Sequence, residues 1–202
     1  MKDIEKETYK KKMYHFYAVI NRMKYINRWG LMRNTERENL QEHSFQVAVL
    51  AHALALIEKE RFGADVDPDR AAVIALFHDA SEIITGDMPT PVKYYNDGIR
   101  SVYKEIEKDA NALLVEKLPE DLRREYSDLL SGEDRPEYKF VKAADTISAY
   151  IKCVEELKAG NREFEGAAKS IREKLDNIQL KSVRVFTDEF LGSFSLTLDE
   201  QS

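Results

Sequence analysis

Three ionisable residues, His78, Asp79 and Glu82, stand inside the otherwise apolar stretch Ala75-Leu-Phe-His-Asp-Ala-Ser-Glu-Ile-Ile-Thr-Gly-Asp87, flanked by Val73, Ile74, Leu76, Phe77, Ile83 and Ile84. Asp67 and Pro68 supply a cap and a first helical residue, and Gly86 supplies a stop, so the pattern predicts a helix from Pro68 to Gly86. Apolar side chains on nearly every side predict that this helix is buried. At about 100° per residue, the i,i+4 pair His78–Glu82 and the i,i+3 pair Asp79–Glu82 put all three groups on one arc of roughly 100°. Buried charge needs a partner, and a metal ion can take an imidazole and a carboxylate together. The alternative is a salt-bridged stripe facing water.

Further ligands must come from other elements. Asn39, with Glu42 three positions on, marks a capping box opening a helix that runs to about Arg61 before Gly63. Its apolar stripe is Val47, Leu50, Leu54 and Ile57, and His43 extends that stripe one turn back. His52, nine positions after His43, points to the opposite side and reads as bland. A later helix, Glu137 to about Ala159, carries Phe140, Ala144, Ile147 and Ile151 inward. Asp145 lies at the margin of that stripe, either as a structural ion-paired group or as a ligand. Between the first two helices, Gly30 and Asn34 mark a loop that holds Arg28 beside Trp29. A guanidinium fork suits phosphate and an indole face suits a sugar or base. On the residues alone, the commoner outcome is a Trp plugging the core with Arg28 in water. Asp87 and Thr90 follow the acidic arc in the turn Gly86 to Pro91 and can line its mouth, although Asp87 can also merely fix the turn.

The remaining elements also read as helices. The first covers about Glu5 to Ile26, with Tyr14, Tyr17, Ile20 and Met23 inward and His15 an ordinary face residue. Pro91 opens another with Lys93, Tyr94 and Tyr95, interrupted near Asn96-Asp97-Gly98 and resuming from Ile99 to Leu118. Pro119 leads to about Leu130, a polar loop spans Ser131 to Pro136, and Arg162–Ile178 and Ser182–Phe194 close the chain. With only 8 Gly and 5 Pro in 202 residues, and little strand-like alternation, the expectation is an all-α bundle in a single domain, 1–202. Composition, 43% hydrophobic and 34% charged, is that of a soluble globular chain. A net charge of −6 argues against a broad nucleic-acid face while leaving room for a pocket that takes one phosphate. The single Cys153 excludes an internal disulfide and a zinc–thiolate site, and fits a reducing cytoplasm. The longest apolar run, Val47 to Ile57, contains His52 and is too short for a bilayer. The charged Met1 to Lys6 lacks the apolar core of a secretion signal.

His43, His78, Asp79 and Asp145 together offer two imidazoles and two carboxylates, a set suited to a divalent ion with positions open for water and a phosphate oxygen. Glu82 could orient or deprotonate the water, Asp87 could assist the leaving oxygen, and Arg28 could clamp the phosphate. The combination describes hydrolysis of a small phosphate ester.

A first His, a His-Asp pair 35 positions later and a lone later Asp in a helical chain resemble the HD-domain metal-dependent phosphohydrolases. The likeness is closer still to the bacterial 5′-deoxynucleotidases of the YfbR type. It lies in Ile26-Asn-Arg-Trp, Leu31-Met-Arg-Asn, Glu42-His-Ser, Phe77-His-Asp-Ala-Ser-Glu and Gly86-Asp-Met-Pro-Thr-Pro-Val-Lys-Tyr, and again in Lys142-Ala-Ala-Asp and Cys153-Val-Glu-Glu-Leu-Lys-Ala-Gly-Asn161. It covers nearly the whole chain, with residues 1–10 as an N-terminal extension. The resemblance implies metal ligation by His43, His78, Asp79 and Asp145 and catalytic acids Glu82 and Asp87. It implies substrate contacts from Arg28, Trp29, His43, Asp87 and Thr90, with Trp29 near the sugar C2′ disfavouring a ribose hydroxyl. It further implies release of phosphate from deoxyribonucleoside 5′-monophosphates, a cobalt, manganese or copper ion, and a homodimer. Two other readings stay open: a related hydrolase acting on another nucleotide or small phosphomonoester, and a non-catalytic nucleotide sensor.

Overall fold

The structure is a computed structural model and describes residues 12–93 and 95–202. The expected helix start at Glu5, the extension 1–10 and Tyr94 lie outside those residues. Among the described residues the regular elements are helical, apart from one antiparallel bridge between Asn27 and Asn39. The chain runs α1 (Phe16–Ile20), α2 (Leu40–Phe62), α3 (Pro68–Phe77), α4 (Glu82–Thr85), α5 (Thr90–Lys93) and α6 (Asp97–Val115). It continues with α7 (Glu120–Leu130), α8 (Tyr138–Lys158), α9 (Glu165–Asp176) and α10 (Lys181–Glu189), with short 3₁₀ turns between and after them.

α2 is the central rod because its apolar stripe is continuous. Val47, Leu54, Ala51 and Ala55 are fully buried, and α3, α8 and α10 pack around them. Asn39 closes the expected capping box, its Oδ1 accepting from Gln41 N–H and Glu42 N–H while Glu42 reaches back to Asn39 N–H. Gly63, at φ +69°, ends the helix in the left-handed region that favours glycine. α8 buries Phe140, Ala144, Ile147 and Ile151 against it, as its spacing predicts. A smaller second cluster gathers Phe16, Ala80, Leu114, Leu118 and Leu130.

Three local expectations are corrected. The segment from Pro68 to Gly86 is not one helix: α3 ends at Phe77, turns follow, and α4 is a single turn from Glu82. The His78 ring Nδ1 lies 2.7 Å from Ala75 O and its side chain competes with the backbone for that carbonyl. From there the chain tightens to i→i−3 bonds, Ala80 N–H to Phe77 O and Glu82 N–H to Asp79 O. Nor is the segment apolar because it is buried all round. Ala71, Ile74 and Ala75 face the core, whereas Val73, Leu76 and Ile84 are exposed. In the first helical region α1 has one α turn followed by a 3₁₀ turn, Asn21–Tyr25. Phe16 and Met23 are buried, while Tyr14, which precedes α1, and Tyr17 are exposed. No helix among the described residues is long and apolar enough to cross a membrane.

Candidate metal centre and phosphate site

Three elements converge on one point. His43 comes from the first turn of α2, His78 and Asp79 from the turn that ends α3, and Asp145 from the middle of α8. One ligand atom each from His43, His78 and Asp145 lie within 4.8 Å of one another. Asp79 Oδ2 completes the group, 3.5 Å from His43 Nε2 and 3.2 Å from His78 Nε2, and His43 Nε2 is 3.3 Å from Asp145 Oδ1. Ala80, fully buried in the second cluster, anchors the turn next to the His78-Asp79 pair. The turn does what a continuous helix was expected to do: it holds an imidazole and the adjacent carboxylate against one point.

The ring nitrogens fit a cation. His43 Nδ1 is 3.1 Å from Ser148 Oγ, which donates to Gln46 Oε1 at 2.6 Å, and His78 Nδ1 is engaged by Ala75 O. Both Nε2 atoms are buried without a hydrogen-bond partner and face the carboxylates. Occupying Nδ1 and freeing Nε2 is the arrangement that presents an imidazole lone pair to a metal.

The charge balance favours a cation as well. Burial opposes charge on Asp79, yet His78, His43 and Arg28 hold its carboxyl well below the ordinary carboxylate range. Burial also opposes charge on Asp145, and the neighbouring imidazoles of His43, 3.3 Å away, and His78 keep it low. Burial and Arg28 push His43 down, but Asp145 and Glu38 prevail and raise it. Glu82, buried beside the site with Oε2 unpartnered, is pushed up to about 9 by burial and then by the negative charges of Asp79 and Asp87. Asp87 is raised by its burial, an effect that Arg28 partly offsets. The cluster thus gathers more carboxylates than fixed positive charges, the deficit that a divalent ion fills.

The loop before α2 supplies the positive side. Arg28 N–H donates to Glu38 O at 2.9 Å, next to the Asn27–Asn39 bridge, so the loop folds back as a closed flap. Arg28 Nη1 lies 3.7 Å from Asp79 Oδ2, and its side chain is largely buried. Burial opposes its charge, but Glu38, Asp145, Asp79 and Asp87 outweigh it and hold the guanidinium protonated. Trp29 is half-buried and does not plug the core. Its ring lies 5.3 Å from that of Phe164, its backbone N–H donates to Asp87 Oδ2 at 3.2 Å, and its φ is +58°. Asp87 reaches that amide because Gly86, at φ +74°, turns the chain there. Thr90 is exposed at the start of α5, three residues beyond Asp87. His52 sits apart on the outer face of α2, 3.4 Å from Asp69.

Sequence reasoning missed Glu38, Ser148 and Gln46. Glu38 belongs to the charged run Glu36-Arg37-Glu38, which reads as solvated, and loops carry no periodicity to show which side chain turns in.

An all-helical fold with two histidines and two aspartates around one buried point defines an HD-type metal-dependent phosphohydrolase. The fold is that of an HD-domain phosphohydrolase from Listeria innocua, with a TM-score of 0.78 at 23% identity, covering 89% of this chain and 88% of that one. A family model described as YfbR-like 5′-deoxynucleotidase matches residues 15–194. A 5′-deoxynucleotidase of Erwinia tasmaniensis is 50% identical over 93% of this chain and 96% of its own length. The 5′-deoxynucleotidase YfbR of Escherichia coli is 47% identical over 95% and 97%. The chain belongs to the YfbR-like 5′-deoxynucleotidase family.

Proposed function

We propose that the chain hydrolyses deoxyribonucleoside 5′-monophosphates to deoxyribonucleosides and phosphate, with a divalent cation held by His43, His78, Asp79 and Asp145. The observation that carries this reading is the pair of buried, unpartnered Nε2 atoms of His43 and His78 facing two carboxylates, beside a largely buried Arg28. The relatives named 5′-deoxynucleotidase supply the substrate class. When bound, the cation polarises the phosphoryl group and acidifies water. Arg28 pairs with the equatorial phosphate oxygens as charge develops on them. Glu82 Oε2, buried and free of a hydrogen bond, orients the attacking water, and it would take a proton from it once a bound cation offsets the charges of Asp79 and Asp87 that hold its carboxyl up. Water oxygen joins phosphorus as the ester bond breaks, and Asp87 assists the departing 5′ oxygen. Trp29 packs near C2′, where a ribose hydroxyl would meet the indole face, and Thr90 contacts substrate at the mouth.

Mixed nitrogen and oxygen donors suit Co²⁺, Mn²⁺ or Cu²⁺. The chain acts as a homodimer in the cytoplasm, where the buried thiol of Cys153 stays reduced. The dimer reading is supported by exposed Phe45, Val49 and Leu56 on one face of α2 and Val73 and Leu76 on α3, stripes that meet at the His52–Asp69 contact. The test is phosphate release from dAMP and AMP after chelation and readdition of Co²⁺ or Mn²⁺. Turnover of dAMP well above AMP, only with metal, is expected. Equal turnover of both removes the deoxy selectivity, and cation binding without turnover replaces the enzyme by a sensor.

A further inference from the structure

The loop between α1 and α2 carries both Arg28 and Trp29, and one carboxylate ties them together. Glu38 Oε2 accepts from Trp29 Nε1–H at 2.9 Å and lies 3.5 Å from Arg28 Nε. Its other oxygen, Oε1, is 3.7 Å from His43 Nδ1. Among the described residues the Arg28 Nε has no other partner, and the Glu38 side chain is largely shielded from water. The backbone cannot do this work. Trp29 sits at φ +58°, a conformation costly for a residue with a Cβ, and its main chain is pinned by Asp87 on N–H and by the Asn34 amide on O at 3.3 Å. Those bonds fix where the residue is but leave the indole free to turn about its side-chain torsions. The Nε1–H bond to Glu38 and the tilted contact with Phe164 hold the plane of the ring.

We propose that Glu38 is a positioning residue for selectivity: its single carboxylate sets the plane of Trp29 against the sugar and the reach of Arg28 toward the phosphate, so that discrimination at C2′ and capture of the 5′-phosphate are coupled through one side chain. The proposal rests on the deoxynucleotidase reading above and goes beyond it, since Glu38 itself touches neither substrate nor reacting atoms. A rotated indole would no longer crowd the 2′ position, and a guanidinium released from Glu38 would pair with Asp79, now 3.7 Å away, in place of a phosphate.

Trp29 is the sole tryptophan, so intrinsic fluorescence reports the contact with no assay of turnover. Glu38→Ala removes the acceptor. Glu38→Gln keeps a carbonyl for the indole N–H but not the charge for Arg28. In Glu38→Ala the Trp29 emission shifts and acrylamide quenching rises, the dAMP-to-AMP ratio of kcat/KM falls by about tenfold, the value of one charge-assisted hydrogen bond, and Co²⁺ still binds by calorimetry. Glu38→Gln restores the fluorescence and the ratio while KM for dAMP stays raised with kcat little changed. A chain whose Trp29 fluorescence and ratio are the same in Glu38→Ala as in the wild type overturns the proposal, and so does Glu38→Gln behaving as Glu38→Ala in both readouts. Wild-type protein that turns over dAMP and AMP equally defeats the reading of Trp29, not the hold of Glu38, which the fluorescence of Glu38→Ala decides alone. Circular dichroism of both variants separates either result from unfolding.

Discussion

Glu156 on α8 is 1% exposed, and four groups donate to its carboxylate. Lys152, itself 5% exposed, donates to its Oε1 at 2.5 Å, the Asn161 amide donates to Oε2 at 2.8 Å, and the N–H groups of Thr35 and Glu36 donate at 2.8 and 3.2 Å. Lys152 also reaches Glu36 O. This buried pair pins the flap that carries Arg28, Trp29 and Glu38 onto α8. Glu156→Gln keeps the shape, turns one acceptor into a donor facing donors, and leaves a buried ammonium without its counter-charge. Removing one partner of a buried pair costs about 3–5 kcal/mol, and at roughly 2–4 °C per kcal/mol for a chain of this size that lowers the melting temperature by roughly 6–20 °C. Urea unfolding followed by circular dichroism measures it as a lower midpoint at unchanged slope. The double variant Lys152→Met/Glu156→Leu recovers part of the loss, since no charge is then left unpaired. Burial opposes ionisation of Glu156, but the bonds from Lys152, Asn161 and Thr35 hold its carboxyl well below the ordinary range. A depressed folded-state value stabilises above the unfolded value of about 4.3 and is lost as pH falls below it, so wild-type stability drops more steeply than that of Glu156→Gln in acid. A loss under about 1 kcal/mol, or equal acid slopes, would refute this account.

Other outcomes follow from the same geometry. His43→Ala and Asp145→Asn lose Co²⁺ binding by titration calorimetry, by tenfold or more each, because each removes a donor from the cluster on the order of one strong interaction. Glu82→Gln keeps cation binding and lowers kcat by about 10²-fold or more, read as phosphate release at saturating metal. Arg28→Ala lowers kcat/KM for dAMP by about 10²-fold, with circular dichroism unchanged. Phe45→Glu shifts the species seen by light scattering from dimer to monomer while turnover persists.

The helices were legible because each carries its own punctuation. The Asn39–Glu42 box, the Asp67-Pro68 start, the Pro119 start and the stop at Gly63 are local chemistry, and every one stands where spacing puts it. The inner stripe of α8 was legible for the same reason, periodicity of one helix against a core. What failed was inference from apolar content to burial around Val73, Leu76 and Ile84, and from one periodicity to one unbroken helix after Phe77. The competition between the His78 ring and the backbone for Ala75 O depends on a rotamer, not on a pattern.

The sequence by itself determined the helical elements and named the ionisable residues that do not belong on apolar faces, since propensity, capping and periodicity act within a few residues along the chain. Only the tertiary structure decided that His43, the His78-Asp79 turn and Asp145 share one point, and that a loop acid, Glu38, reaches the indole and guanidinium beside them. Those contacts join residues up to about a hundred positions apart, and their geometry follows from how α2, α3 and α8 pack, which no local pattern encodes.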